Sequence, residues 1–268
     1  MSFISNEIFG VLHQARRIWA IAAIHGEAGR LKRLHDQMAE RYRRGDRIVY
    51  LGNYLGLGPE IPATIDEMLL FRRELLCMPG MEPGDIVFLR GAQEEMFRKL
   101  MQIQMASQPR EVFRWMMGQG VEQTLRAYGG DPQDFEARAR DGVMALTRWT
   151  QRLREAVRAH PGHDELLAAL RRAAYTADRR LLFVHAGIDP ARPLGEQKDA
   201  FWWGSAAFAD LTQPFESFRM VVSGYCRKEP RTGLGPYSAT IDGGAGRGGN
   251  LAAACFDADG QPVDWLEA

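Results

Sequence analysis

The chain is poor in cysteine and in lysine, carries no net charge and has no long apolar run, and each shortage removes a class of protein. Cys77, Cys226 and Cys255 are the only cysteines among 268 residues, and no two form a Cys-x-x-Cys pair. That excludes a disulfide framework and a zinc ribbon, and makes a reducing cytoplasm the expected compartment. Thirty-four basic residues balance thirty-four acidic ones, so bulk charge supports neither nucleic acid nor an anionic membrane as a partner. Lys32, Lys99, Lys198 and Lys228 are the only lysines, and the arginine excess reads as the codon bias of a G+C-rich genome. The pairs Arg171-Arg172 and Arg179-Arg180 read as a solvated helix face. No stretch of about eighteen apolar residues is present, so no transmembrane helix is expected. Met1 to Gly10 lacks the basic start and apolar run of a secretory signal.

What is present suits a single α/β domain over residues 1–268, long enough to bury a real core. Ile18 to Ile24 is a short apolar run ended by glycine, the pattern of a buried strand. Leu31, Leu34, Met38 and Tyr42 then recur at helical spacing, predicting an amphipathic helix over Glu27 to Arg44. A strand over Arg47 to Leu51, a helix begun by Pro62 and running to about Cys77, a strand over Asp85 to Leu89 and a helix over Ala92 to Ala106 follow. This alternation indicates a largely parallel βαβ core. From Pro109 to about Thr176 helical segments succeed one another without a convincing strand, so residues 109–176 read as an all-helical insertion. Strands return at Leu181 to Val184, Arg219 to Ser223, Tyr237 to Ile241 and Leu251 to Phe256, the last closely spaced as in an antiparallel second sheet.

Five apolar runs end in a glycine turn carrying polar residues: Ala22-Ala23-Ile24-His25-Gly26, Leu51-Gly52-Asn53-Tyr54-Leu55-Gly56, Leu89-Arg90-Gly91-Ala92-Gln93-Glu94, Val184-His185-Ala186-Gly187 and Val222-Ser223-Gly224-Tyr225-Cys226. In order and spacing they resemble the signature blocks of the calcineurin-like metallophosphoesterases, most closely the bacterial serine/threonine phosphatase branch. The insertion supports this, because Trp115 through Gly129 is similar to a segment of that branch ending in T-L-x-x-Y-G. The resemblance implies two packed β-sheets flanked by helices, with a dinuclear metal centre at the strand mouths. That is where α/β sheets generally bind ligands.

The same resemblance shows what has been replaced. Of the family's first block, G-D-x-H-G, His25 stays while Ala23 stands at the aspartate. Of the second, G-D-x-x-D-R-G, Asn53 replaces the metal-bridging aspartate and Leu57 is read at the phosphate-binding arginine. Of the third, G-N-H-E, Ala92 replaces a metal ligand and Gln93 the histidine that protonates the leaving group, while Glu94 stays. His185 keeps the fourth block, Tyr225 replaces the ligand histidine of the fifth, and Gly204 stands where an L-W-x-R segment carries a second phosphate-gripping arginine.

A two-metal phosphatase needs cations that clamp the phosphoryl group and acidify a bridging water. Mn²⁺ or Mg²⁺ needs anionic oxygen ligands to offset its charge, and two imidazoles, an amide and a phenol supply none. Gln93 has no proton to give near neutral pH, where a general acid typically contributes on the order of 10²–10⁴ in rate. Metal, acid and anion receptor are separable parts, and all three are altered. The expectation is therefore a pseudophosphatase with no cofactor, binding an unknown protein or small ligand at the former cleft or through the insertion. The alternative is an active phosphoesterase with a rebuilt site and a pair of Mn²⁺ or other divalent ions. Glu27, Glu94, Glu95 and Asp189 lie near enough in sequence to rebuild it, and His25 or His185 could hold one stray metal. Glu94 reads as structural. Cys226 reads as a half-buried thiol with no base beside it, and Gly243 to Asn250 as a turn in which Arg247 is the one candidate anion contact.

Overall fold

A computed structural model describes residues 8–268. The secretory-signal reading of Met1 to Gly10 lies mostly outside them. The strands are β1 (Phe9–Leu12), β2 (Arg17–Ile21), β3 (Asp46–Tyr50), β4 (Ile86–Phe88), β5 (Ala173–Thr176), β6 (Leu181–Val184), β7 (Met220–Ser223), β8 (Thr232–Leu234), β9 (Ser238–Ile241), β10 (Ala252–Asp257) and β11 (Pro262–Glu267). The helices are α1 (Ala28–Arg41), α2 (Ile61–Leu76), α3 (Ala92–Leu100), α4 (Pro109–Met116), α5 (Glu122–Ala127), α6 (Pro132–Arg140), α7 (Val143–Arg158), α8 (His163–Ala169), α9 (Ala200–Trp203) and α10 (Ala206–Ala209). Among the described residues no helix is long and apolar enough to cross a membrane.

The strands form two mixed sheets, one ordered β1-β5-β6-β7-β9-β8 and the other β11-β10-β2-β3-β4. Side chains alternate between two dry faces, as the two-residue period of a strand requires. Ile18 and Ala20 of β2, Val49 of β3 and Leu181 and Phe183 of β6 meet between the sheets. Trp19, Ile21, Ile48 and Tyr50 point the other way, into a layer shared with α1, α2 and the helical insertion. Leu182 and Val184 face a third layer under Phe201, Trp202 and Phe208. Burial on both faces is why these strands read as continuous apolar runs.

Strand register brings the strand ends together. Ile21 lies opposite Tyr50, Tyr50 opposite Phe88, and Val184 opposite Ser223. The polar residues that follow therefore gather at one end of the sandwich. There the sheets pinch together through the Ala23 amide, which donates to the Gly224 carbonyl at 3.0 Å. A Cβ on Gly224 would lie 2.6 Å from that of Leu51, so only glycine permits the approach.

The chain departs from the sequence expectations at four places. Ala173–Thr176 is strand β5, so the helices between the two halves of the fold end with α8 at Ala169. β9 runs parallel to β7, and β10 leaves that sheet to pair antiparallel with β2. The helix expected over Ala92 to Ala106 ends at Leu100 and continues only as a 3₁₀ turn at Ile103–Met105. β1, β8 and β11 have no counterpart in the sequence reading.

Candidate functional site

His25 and Asn53 follow the ends of β2 and β3, and both adopt the left-handed backbone region, with φ of 55° each. Left-handed backbone is unusual for a histidine, and the surroundings hold it there. The amides of Ile24 and His25 both donate to the Asn53 carbonyl, at 3.0 and 2.7 Å, and the Gly58 amide donates to the His25 carbonyl at 2.7 Å. A Cβ on Gly246 would lie 2.5 Å from that of His25, so the glycine-rich turn over residues 243–249 closes directly upon it.

One hydrogen-bond chain fixes the proton positions. The Gln93 backbone amide donates to Asn53 Oδ1 at 2.9 Å, which turns Asn53 Nδ2 toward His25 Nε2 at 3.4 Å. An amide nitrogen can only donate, so His25 Nε2 accepts and its proton resides on Nδ1. His185 Nδ1 lies 2.7 Å from the Leu51 carbonyl and must donate to it, leaving Nε2 as a bare acceptor. His25 Nδ1 and His185 Nε2 are both buried without a partner. The His25 pKa falls to about 3, first through burial and then through the neighbouring His185 and Arg247 charges. That of His185 falls to about 4 through burial. Both rings are neutral at physiological pH.

Tyr225 wedges between them. Its ring stacks on His185 at 5.0 Å and 12°, and meets His25 at 5.7 Å. Burial raises the phenol pKa above its ordinary value, so Tyr225 is a neutral phenol rather than an anionic ligand. The Arg247 guanidinium lies over the Tyr225 ring, its carbon 5.0 Å from the ring centre. It is not free to grip an anion, because it donates to the Cys226 carbonyl and pairs with buried Asp242. Asp242 also accepts the Cys226 and Gly244 amides at 2.7 and 3.0 Å. Sequence reasoning missed this aspartate, although Ile241-Asp242-Gly243 has the same strand-to-glycine form as the other mouths.

The remaining expected residues are close by, in packing or supporting positions. Ala23 and Ala92 are buried, with Ala92 packed into the layer under Trp202. Leu57 is half-buried and meets the insertion, where a Cβ on Gly120 would lie 2.6 Å from Leu57 Cδ2. Gln93 Nε2 donates to the Gln119 carbonyl at 2.7 Å, and the Gly56 amide donates to Thr124 Oγ1 at 2.9 Å. The insertion thus caps the cleft through the turn over Met117–Val121. Gly204 takes a left-handed turn (φ 69°) under half-buried Trp203, which lies edge-on to Trp115 and beneath the Arg227 guanidinium.

The acidic residues near these mouths are committed elsewhere. Glu94 accepts the Asn53, Gly91 and Leu55 amides at 2.9, 2.8 and 3.0 Å, a structural hub. Glu95 pairs with Arg98 at 2.8 Å, Glu27 with Arg30 at 3.5 Å and Asp189 with Arg192 at 3.2 Å. The Cys226 pKa is raised by burial, which keeps the thiol protonated and a poor nucleophile. Among the described residues no three histidine, cysteine or acidic side chains are grouped so as to hold a metal ion. A pair of divalent cations therefore does not fit the donor set. It offers one imidazole capped by Asn53, one whose free nitrogen is buried beside the Tyr225 ring, an amide and a neutral phenol, with no carboxylate turned inward.

No family profile and no curated protein matches the sequence. Solved structures do. A candidate diadenosine tetraphosphatase superposes with a TM-score of 0.54 and 17% identity, over 97% of this chain and 98% of that one. A cold-active protein-tyrosine phosphatase of a psychrophilic Shewanella species gives 0.54 and 12% over 97% and 83%. At such identities the likeness is one of fold, the two mixed sheets flanked by helices that these phosphatase structures share with this chain.

Proposed function

We propose that this chain is a pseudophosphatase: a protein of phosphatase fold that does not hydrolyse phosphoesters and acts in the cytoplasm as a binding or regulatory protein. The observation that carries the reading is the closed circuit at the strand mouths. His25, Asn53 and His185 are each 0% exposed, bonded to one another or to backbone, and roofed by the neutral Tyr225 ring. A hydrolase of this kind needs open coordination positions and a water between cations; here Asn53 faces His25 Nε2 and the Tyr225 ring stacks on His185. Partner recognition then falls to the rim, where half-buried Trp203 and Tyr225 lie under Arg227 and Arg247. Aromatic and arginine side chains of this sort dominate protein recognition energetics.

The competing reading is a metal-dependent phosphoester hydrolase with a rebuilt site, and it draws on the phosphatase names of the solved neighbours. It requires Tyr225 to swing away and a carboxylate to leave its present partners. Incubation with excess Mn²⁺, metal analysis after desalting, and an aryl phosphate assay separate the two. The proposal expects no retained metal and no turnover above buffer. Metal-dependent turnover that disappears in His25→Ala or His185→Ala would overturn it.

A further inference from the structure

The opposite pole of the five-stranded sheet, far from the histidines, holds a second concavity. It has a volume of 550 Å³ and is lined by Gln14, Arg16, Arg44, Gly45, Arg47 and Gly80. β2 and β3 begin at this end and deliver His25 and Asn53 at the other, so the two places are separated by a strand length of roughly 16 Å. Three guanidinium groups face one hollow, where like charges in close quarters repel unless an anion joins them.

The arginines are not equivalent. Arg47 is only 8% exposed and is fixed from behind. Its Nε pairs with Asp85 at 2.8 Å and also donates to the His13 carbonyl at 3.0 Å, while Nη1 donates to the Asp46 carbonyl at 3.1 Å. Among the described residues Asp85 is the only carboxylate that pairs with Arg47, and Asp46 is itself held by Arg17 at 2.6 Å. Arg16 and Arg44 are exposed, and neither pairs with any carboxylate among the described residues. Each lies along a glycine in left-handed conformation. A Cβ on Gly45 (φ 95°) would come within 3.0 Å of the Arg16 side chain, and one on Gly80 (φ 83°) within 3.7 Å of Arg44 Nε. The loop backbone thus makes room for both side chains beside the hollow. The result is one anchored and two free guanidinium groups around a space of small-ligand size.

From this geometry we infer that the hollow binds a small soluble oligophosphate, its phosphates bridging Arg47 on the floor and Arg16 and Arg44 on the walls. Guanidinium groups pair with phosphate oxygens through two parallel N–H donors. A chain of linked phosphates brings more charge and more oxygens to several arginines, over a longer reach, than a lone sulfate does. The site lies outside the former cleft and does not depend on whether that cleft is active.

Tripolyphosphate titrated into the full chain by calorimetry, at fixed ionic strength, tests the site. The expected result is saturable one-to-one binding, at least about tenfold tighter than that of sulfate and weakened at least about tenfold in Arg16→Ala/Arg44→Ala. Those residues are exposed, so the double variant keeps the fold; a thermal melt verifies this. Arg192→Ala, an exposed arginine in the loop after β6, is expected to bind as the parent does. Equal binding of sulfate and tripolyphosphate, indifference to the double substitution, or a loss in Arg192→Ala each overturns the inference.

Discussion

Glu94 illustrates how one side chain holds a strand mouth in place. Two carboxylate oxygens take three backbone amides from two loops, all buried. Burial raises its pKa while those same amides oppose the rise, so the site is built around the ionised form. Glu94→Ala leaves three donors without acceptors, each costing about 1–3 kcal/mol. We expect a loss of at least about 3 kcal/mol by urea denaturation, with Glu94→Gln losing less because one acceptor oxygen remains. A loss below about 1 kcal/mol for the alanine variant contradicts the hub. His25 and His185 make a pH prediction of known sign. Their ordinary pKa of 6.5 is lowered to about 3 and about 4 in the fold. Between those values and 6.5 the unfolded chain binds more protons than the folded one, so stability rises with pH there and is lost on acidification. The melting temperature is expected to fall between pH 7 and pH 5, on the order of a few degrees. That drop should shrink in His25→Asn/His185→Gln; an unchanged drop in the variant excludes these two rings as its source. Both histidines and Glu94 were visible in the sequence because each stands in a strand-to-glycine frame. Asp242 stood in the same frame and was missed, since only the fold shows that Arg247 and two amides converge on it.

At the scale of elements, the strands legible in the sequence are those buried on both faces. β2, β3, β6 and β7 are apolar runs closed by glycine, and their boundaries agree with the reading to within a few residues. β8 is three exposed residues held only by pairing with β9, and β11 alternates weakly about Trp265, so neither carries a hydrophobic signature. β5 is Ala-Ala-Tyr-Thr, a neutral sequence that becomes strand because β1 and β6 flank it. The helical insertion was legible by periodicity, yet its contact with the cleft was not. That contact depends on the turn at Gly120, whose φ of 95° excludes an ordinary side chain. Phe113 stacks on Phe135 at 3.7 Å, with Trp149 edge-on at 5.1 Å, so the insertion is a packed body that can transmit a displacement. Gly120→Ala should cost about 1–2 kcal/mol and speed amide exchange over residues 117–124. Unchanged exchange there means the cap is independent of the turn.

For the whole molecule, the decisive feature is that the strand mouths converge on neutral side chains, with the nearby carboxylates committed to other partners. The two sheets still converge at Ala23 and Gly224, and the mouths still present His25 and His185 at one end. What fills the space between them is a hydrogen-bond circuit and an aromatic wedge. Three substitutions address this directly. Asn53→Asp keeps the acceptor for the Gln93 amide and removes the donor that caps His25 Nε2. Tyr225→His takes away the ring stacked against His185, and Ala23→Asp adds a second carboxylate beside His25. Together they supply the anionic oxygen that divalent cations require. Mn²⁺ uptake should rise from background to about one or two ions per chain. Aryl phosphate turnover should remain at background, because Gln93 still cannot protonate a leaving group and neither Leu57 nor Gly204 can hold a phosphate. If the triple variant takes up no metal, the frame has closed as well as lost its charge. If it becomes an efficient hydrolase, the acid and arginine positions were never limiting, and carboxylate loss alone silenced the fold.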